Sequence, residues 1–197
     1  MADNEVLKQQ KETFIELLRS TKRDGIENLI NYLETKSDFF TAPASTKFHN
    51  NFPGGLLSHT MNVYKNFKGL LELKGVELEE DSIIISALCH DICKSNYYIQ
   101  EERNRKVDGK WESYPYWSTV KSHAVPLPHS ARSVRIIRSF ISLKFVEELI
   151  IYYHMGPFGG EDYEYRNLLQ DVNNRYPATL LFYTADLISS YLDEETV

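Results

Sequence analysis

The chain has 197 residues, 42% of them hydrophobic and 25% charged, with a formal net charge of −6. That length supports one ordinary domain with a real core, and the composition excludes disordered, collagen-like and low-complexity chains. The acidic balance argues against nucleic acid held by bulk charge, two cysteines cannot build a disulfide scaffold, and no apolar run reaches the length of a membrane span.

Residues 1–11 lack the apolar core of a signal peptide, so the expected location is the reducing cytoplasm, with no membrane partner. Apolar residues at helical spacing (Leu7, Phe14, Leu17, Leu18) predict a helix over 6–19. Asp24 is placed to cap a second helix whose inner face carries Ile26, Leu29, Ile30 and Leu33. Residues 41–53 hold Pro43 and Pro53 and read as irregular. A helix is expected over 55–73, ending at Gly75, and another over 79–91, with Ile84, Ala87, Leu88 and Asp91 close in helical projection. The period then changes. Segments 97–107 and 110–117 are rich in aromatic and charged residues and flank Asp108-Gly109, a strong hairpin signal. Pro128 opens a helix to about residue 140. The next covers 143–154 and is stopped by Gly156-Pro157; 161–174 is helical, and Pro177 opens the last helix, which runs to about residue 192. The expectation is an all-α helical bundle with one inserted β-hairpin over 97–118. Residues 1–47 pack on it as N-terminal helices, and no linker divides 1–197 into two domains.

Six histidines stand in informative company. His90 is followed at once by Asp91, His59 follows Gly54-Gly55-Leu56-Leu57-Ser58, and His154 ends an apolar stretch. Asp186 lies inside an apolar run, where a carboxylate is costly to bury without a charged partner, and a metal ion is such a partner. Neutral imidazole with carboxylate suits manganese, iron, cobalt, nickel or zinc better than magnesium. Spacing alone makes a shared metal site plausible and no more.

His59, then His90-Asp91, then Asp186 resembles the H…HD…D signature of the HD-domain metal-dependent phosphohydrolases. Residues 54–60 are similar to the GGLLEHT segment of the HD domain in bacterial 3′→5′ exoribonucleases, and residues 90–94 to HDIGK. Residues 127–134, around His129, resemble the GHGEKSV segment of small stand-alone HD proteins of bacteria and phages, and His154-Met155-Gly156 resembles their WHMG. Cys93 stands where HDIGK has glycine, and Pro128 and Ser130 replace the glycines around His129. The resemblance covers about 48–194. It implies an HD-domain fold, an enzyme, and two divalent ions held by His59, His90, Asp91, His129, His154 and Asp186, with Asp91 bridging them. A water between the ions would be acidified and act as nucleophile. Asp91 and Lys94 would carry the catalysis, and Lys94 and Arg132 would contact phosphate.

Other readings stand beside these. His49 and His123 fall outside the six-residue pattern and are assigned to loop or substrate-pocket positions; a plain polar role serves as well. Lys94 could equally be a cation favoured at a helix C-terminus. Cys89 and Cys93 read as small buried residues packing around the site. Arg103, Arg105 and Lys106 lie near Trp111, Tyr114, Tyr116 and Trp117, a combination that stacks on nucleotides or simply solvates a hairpin. The acidic end, Asp193 to Glu195, reads as a frayed tail. The leading function is hydrolysis of a phosphoester in a small nucleotide or nucleotide-like molecule. A 3′→5′ exonuclease or a cyclic-nucleotide phosphodiesterase would use the same site, with nucleic acid the less favoured partner. The rival from another class is a catalytically weak nucleotide-binding module. A homodimer is a guess.

Overall fold

The helix α4 (Glu80–Cys89) is buried on every side from Ser82 onward, which is the environment a helix apolar all round requires. It forms the centre of the computed structural model, which describes residues 2–120 and 127–194. Around it pack α1 (Ala2–Ser20), α3 (Gly55–Lys74) and α6 (Phe145–Tyr153), while α8 (Pro177–Ile188) lies along α3. The helices α2 (Ile26–Thr35), α5 (His129–Arg138) and α7 (Tyr163–Arg175) complete the described bundle. The architecture is all-α with one inserted two-stranded antiparallel hairpin, β1 (Tyr98–Val107) and β2 (Lys110–Thr119).

Two apolar clusters meet along α3 and α4. One gathers Phe14, Leu29, Leu33, Phe39, Leu56, Ile85 and Leu88, and the other Val63, Phe67, Ile83, Ile150 and Phe182. Phe67 and Phe182 cross edge to face, with ring centres 4.9 Å apart. The helix ends follow local chemistry. Gly75 closes α3 at φ 63°, its N–H returning to the last carbonyls. Pro177 sits at the start of α8, and Asp162 caps α7 by accepting from the Tyr165 N–H. In the hairpin, Asp108 and Gly109 both have positive φ, 50° and 83°. That is the type I′ pattern, whose twist matches the flanking strands.

Three expectations are corrected. Asp24 does not cap α2. The N-cap is Gly25 at φ 83°, where an added Cβ would stand 2.0 Å from the Phe140 carbonyl oxygen, so chain crossing rather than capping chemistry decides this start. The α4 helix does not run to residue 91. It stops at Cys89, and the chain turns through Asp91 (φ −104°, ψ 16°) into a short 3₁₀ turn, Ile92–Lys94. The α8 helix stops at Ile188 and passes into a π turn, Ser189–Asp193, and Glu194 is folded inward rather than frayed. Among the described residues no helix is long and apolar enough to cross a membrane.

Candidate metal centre

Two histidines are set by the same local device. His90 is the C-cap of α4 and His154 the C-cap of α6. The final carbonyls of a helix have no partner within it. His90 Nδ1–H donates to the Ala87 carbonyl at 2.9 Å, and His154 Nδ1–H donates to the Ile151 carbonyl at 2.7 Å. These bonds assign the Nδ1–H tautomer and leave each Nε2 with a bare lone pair. Both Nε2 atoms are buried and have no hydrogen-bond partner among the described residues. Buried polar atoms are nearly always partnered. Two orphaned lone pairs facing one carboxylate fit a cation between them.

That carboxylate is Asp91, and its two oxygens face different histidines. Oδ2 lies 3.4 Å from His90 Nε2 and 3.6 Å from His59 Nε2. Oδ1 lies 2.6 Å from His129 Nε2 and 3.6 Å from His154 Nε2. Asp186, on α8, places Oδ1 3.3 Å from His59 Nε2. Donor atoms of His59, His90 and Asp91, of Asp91, His129 and His154, and of His90, His154 and Asp186 each fall within 4.8 Å of one another. Thus the six residues that the spacing set far apart in the chain converge, and Asp91 stands between two sets of donors. Five histidine rings form a chain, with centres 4.8 Å apart for His49–His59, 5.4 Å for His59–His90, 5.0 Å for His90–His154 and 5.2 Å for His154–His129, and Phe182 packs against His90 at 5.3 Å.

The electrostatics match a cation site. Burial would raise the Asp91 carboxyl, but Lys94, His90 and His129 hold it well below the usual range. Asp186 is likewise lowered, burial being outweighed by its hydrogen bond to His59. Burial lowers His90 and His129 despite the neighbouring Asp91. His90 keeps its bare Nε2, whereas His129 Nε2–H donates to Asp91 Oδ1 at 2.6 Å, a proton that a cation there would displace. His59 differs: burial opposes its charge, yet hydrogen bonds to Asp186 and Glu194 raise it to about 10. Without a cation that imidazole carries a proton. A cation at Nε2 would take the proton's place.

Lys94 Nζ sits 2.7 Å from Asp91 Oδ2, and Asp91 raises its pKa although burial would lower it. Lys94 also lines a cleft of about 430 Å³ whose floor includes Asp91, His154 and Asp186, and whose rim includes His49. Phe48, Phe158 and Tyr191 on the same cleft are strongly exposed. Arg132 is elsewhere: its guanidinium lies 5.0 Å from the centre of the Tyr97 ring, and it does not line this cleft. Arg135 and Arg138, on the same helix, face solvent. His123 falls outside the described residues.

No family model matches the chain, and no solved structure matches it. A curated relative does: the dihydroneopterin 2′,3′-cyclic phosphate phosphodiesterase of Methanocaldococcus jannaschii, 43% identical over 77 residues. The match is partial. It covers 37% of this chain and 29% of the relative, so the chain spans less than a third of that protein's length.

Two supporting contacts were not foreseen, one at Glu194 and one at Cys93, which was expected only to pack around the site. Glu194 is 1% exposed at its side chain; Oε1 accepts from His59 Nδ1–H at 2.9 Å and Oε2 from His49 Nδ1–H at 2.6 Å. Burial would raise Glu194, but these two partners lower it to about 2. A carboxylate on the far nitrogen of a ligating histidine fixes its tautomer and its orientation. Asn62 adds a bond to Oε1 at 3.3 Å. The loop carrying His49 can reach this carboxylate because Gly55 lacks a Cβ, which would otherwise stand 2.0 Å from the Asn50 carbonyl oxygen. Nothing in an Asp-Glu-Glu terminus signals such a role, because the π turn that redirects it has no sequence mark. Cys93 is the second. Its backbone φ is not positive, which is why a side chain replaces glycine there without strain. Its Sγ lies 3.2 Å from His129 Nδ1, and its N–H donates to Ser133 Oγ at 3.3 Å. Burial pushes the thiol up to about 11, so the S–H can donate to the imidazole.

Proposed function

We propose that residues 1–197 form one HD-type domain that hydrolyses a phosphoester of a nucleotide-like molecule with the help of divalent cations. The observation that carries this reading is the arrangement around Asp91: each carboxylate oxygen faces two histidines, and two of those histidines present orphaned Nε2 atoms. In this reading His59, His90 and Asp186 would hold one cation, His129 and His154 a second, and Asp91 would serve both. Such ions would supply an acidified water and polarisation of the phosphoryl oxygens. Their +4 charge exceeds the −2 of Asp91 and Asp186, so the centre attracts an anion.

The protein's own groups have separate tasks. Lys94 is held by Asp91 at the cleft floor and presents its remaining N–H donors to phosphate oxygens. Glu194 keeps Nε2 of His59 turned toward the centre. The exposed rings of Phe48, Phe158 and Tyr191 offer apolar faces at the rim, which favours a substrate with a planar ring system. A cyclic phosphodiester is the favoured substrate group, one of its P–O bonds being cleaved to open the ring, since the partial relative is named for such a substrate. His49 is committed through Nδ1 to Glu194 and Arg132 does not line the cleft, so neither is given a phosphate contact in this reading.

The test is elemental analysis of wild type and Asp91→Ala, with conversion of nucleoside 2′,3′-cyclic phosphates to monophosphates followed by chromatography and phosphate release measured on monoesters and triphosphates. The expected result is about two transition-metal ions per chain and turnover of at least one substrate, both lost in the variant. Metal-loaded wild type that binds nucleotides and turns none over would leave a binding module in place of the hydrolase.

A further inference from the structure

The stretch that follows α6 carries both a candidate ligand and part of the cleft wall. His154 caps the helix, and Phe158, four residues on, lines the metal cleft with 75% of its surface exposed. Between them the chain enters a short 3₁₀ turn, Gly156–Gly159, and leaves it through Gly160 in extended backbone at φ −169°. Three glycines here have no room for a Cβ. At Gly156 (φ 52°) it would stand 2.6 Å from ring carbons of Tyr183, at Gly159 2.1 Å from the Tyr165 hydroxyl oxygen, and at Gly160 2.6 Å from Tyr165 Cγ.

The turn is therefore pressed from two sides. Tyr183 touches it from the cleft, whose wall it lines. Tyr165 touches it from behind and is not among the described residues that line the cleft. The Tyr165 hydroxyl donates to the Gly156 carbonyl at 2.9 Å, and its ring centre lies 5.7 Å from that of Tyr153 on α6. Its own place is set by α7, whose cap Asp162 accepts from the Tyr165 N–H at 2.7 Å. Inside the turn the Phe158 N–H donates to the Met155 carbonyl at 3.1 Å.

A single exposed aromatic ring is common and says nothing by itself. Here the backbone beneath the ring is packed on both sides, while the ring is left in solvent at the mouth of a charged cleft. With that backbone fixed, less freedom is lost when a flat ring stacks on Phe158. His154 and Phe158 leave the same short stretch, so the spacing from the floor of the cleft to this ring is set by the turn. On the reading of the cleft as a phosphoester site, we propose that Tyr165 is a positioning residue for substrate specificity. From outside the cleft it holds the turn so that Phe158 stands as a stacking wall for the flat ring of the substrate.

The probes are benzylphosphonate and methylphosphonate, which share a head group, differ by a ring and have no ester bond to cleave. Each is titrated calorimetrically into the metal-loaded, full-length protein. The ring is expected to tighten binding about tenfold or more, as stacking on an aromatic side chain does. Phe158→Ala removes most of that preference. Tyr165→Ala lowers it about threefold or more, leaves methylphosphonate within about twofold, and adds little in the Phe158→Ala background, because both act on one wall. Tyr165→Phe keeps the ring in its seat, guards against misfolding, and falls between wild type and Tyr165→Ala. Gly160→Ala sets a methyl against Tyr165 Cγ on backbone that any residue adopts, and it too lowers the preference. A wild type with no ring preference, or a preference unmoved by Tyr165→Ala and Gly160→Ala, overturns the proposal. So does an equal loss for both phosphonates, which marks general damage, or full additivity in the double variant. If neither phosphonate binds wild type up to about 10 mM, near the weakest specific affinities, the phosphoester reading falls and the proposal falls with it.

Discussion

Replacing Glu194 by glutamine isolates the support given to His59 from the ligand itself. The native carboxylate accepts from two imidazoles at 2.9 and 2.6 Å and is 1% exposed at its side chain. A carboxamide of the same size keeps one acceptor oxygen and turns an N–H toward the other imidazole, so one hydrogen bond is lost and the charge leaves both. A hydrogen bond to a charged group contributes about 1.5–3 kcal/mol, and removing such a partner from a ligating histidine costs about 10–100-fold in metal affinity. The two ranges agree, since about 1.4 kcal/mol is tenfold. The assay is calorimetric titration of the chelator-stripped protein with Mn²⁺ or Co²⁺. Asp193→Asn serves as the control, because its carboxylate bonds Asn66 at the surface, and it is expected within about threefold of wild type. If Glu194→Gln also binds within threefold, the carboxylate does not position His59 for a cation, and the reasoning fails.

Lys94→Ala should retain the metal content of wild type and lose about 100-fold or more in turnover, as removal of an electrostatic donor to the reacting group does; metal content measured beside rate separates the two effects. Glu147 is fully buried, paired with Arg23, and accepts from Ser82 Oγ at 2.7 Å and the Lys144 N–H at 2.8 Å, so Glu147→Ala should destabilise by about 3–5 kcal/mol in urea unfolding. Asp81 is lowered because hydrogen bonds from Lys144 and Arg23 outweigh burial, so its contribution is present above its unfolded pKa of about 3.9 and disappears as pH falls through the lower folded value. Urea midpoints should therefore drop between pH 6 and pH 3, and drop less in Asp81→Asn. Gly25→Ala meets both a left-handed backbone and the Phe140 carbonyl, and should cost at least about 2 kcal/mol, read as a fall in melting temperature.

Much of the scaffold was legible in local chemistry. Asp108-Gly109 specifies its turn because both residues adopt positive φ at low cost, and no distant contact is needed. Gly75 and Pro177 mark helix ends for equally local reasons. The apolar side chains of Ile83, Ile84, Ile85, Ala87 and Leu88 drive α4 into the interior, and it carries His90 and Asp91 with it. The order of His59, His90, Asp91, His129, His154 and Asp186 was visible, along with the chemistry their side chains could perform.

Their convergence was not visible, because it depends on how α3, α4, α5, α6 and α8 pack, and periodicity reports only which face of each helix is apolar. The break after Cys89, which turns the Asp91 carboxylate between two pairs of histidines, is decided by the end of a buried helix rather than by any breaker residue. Gly25 needs its left-handed cap only because the chain near Phe140 crosses it. Cys93 meets His129 only because α5 packs against the 3₁₀ turn. Glu194 is the clearest case. Its residue type says solvent, and only the return of the chain end over α3 gives its carboxylate two histidines and removes it from water. Local sequence determines conformations that short-range sterics and burial can select, whereas contacts between residues more than a hundred positions apart exist only once the core has packed.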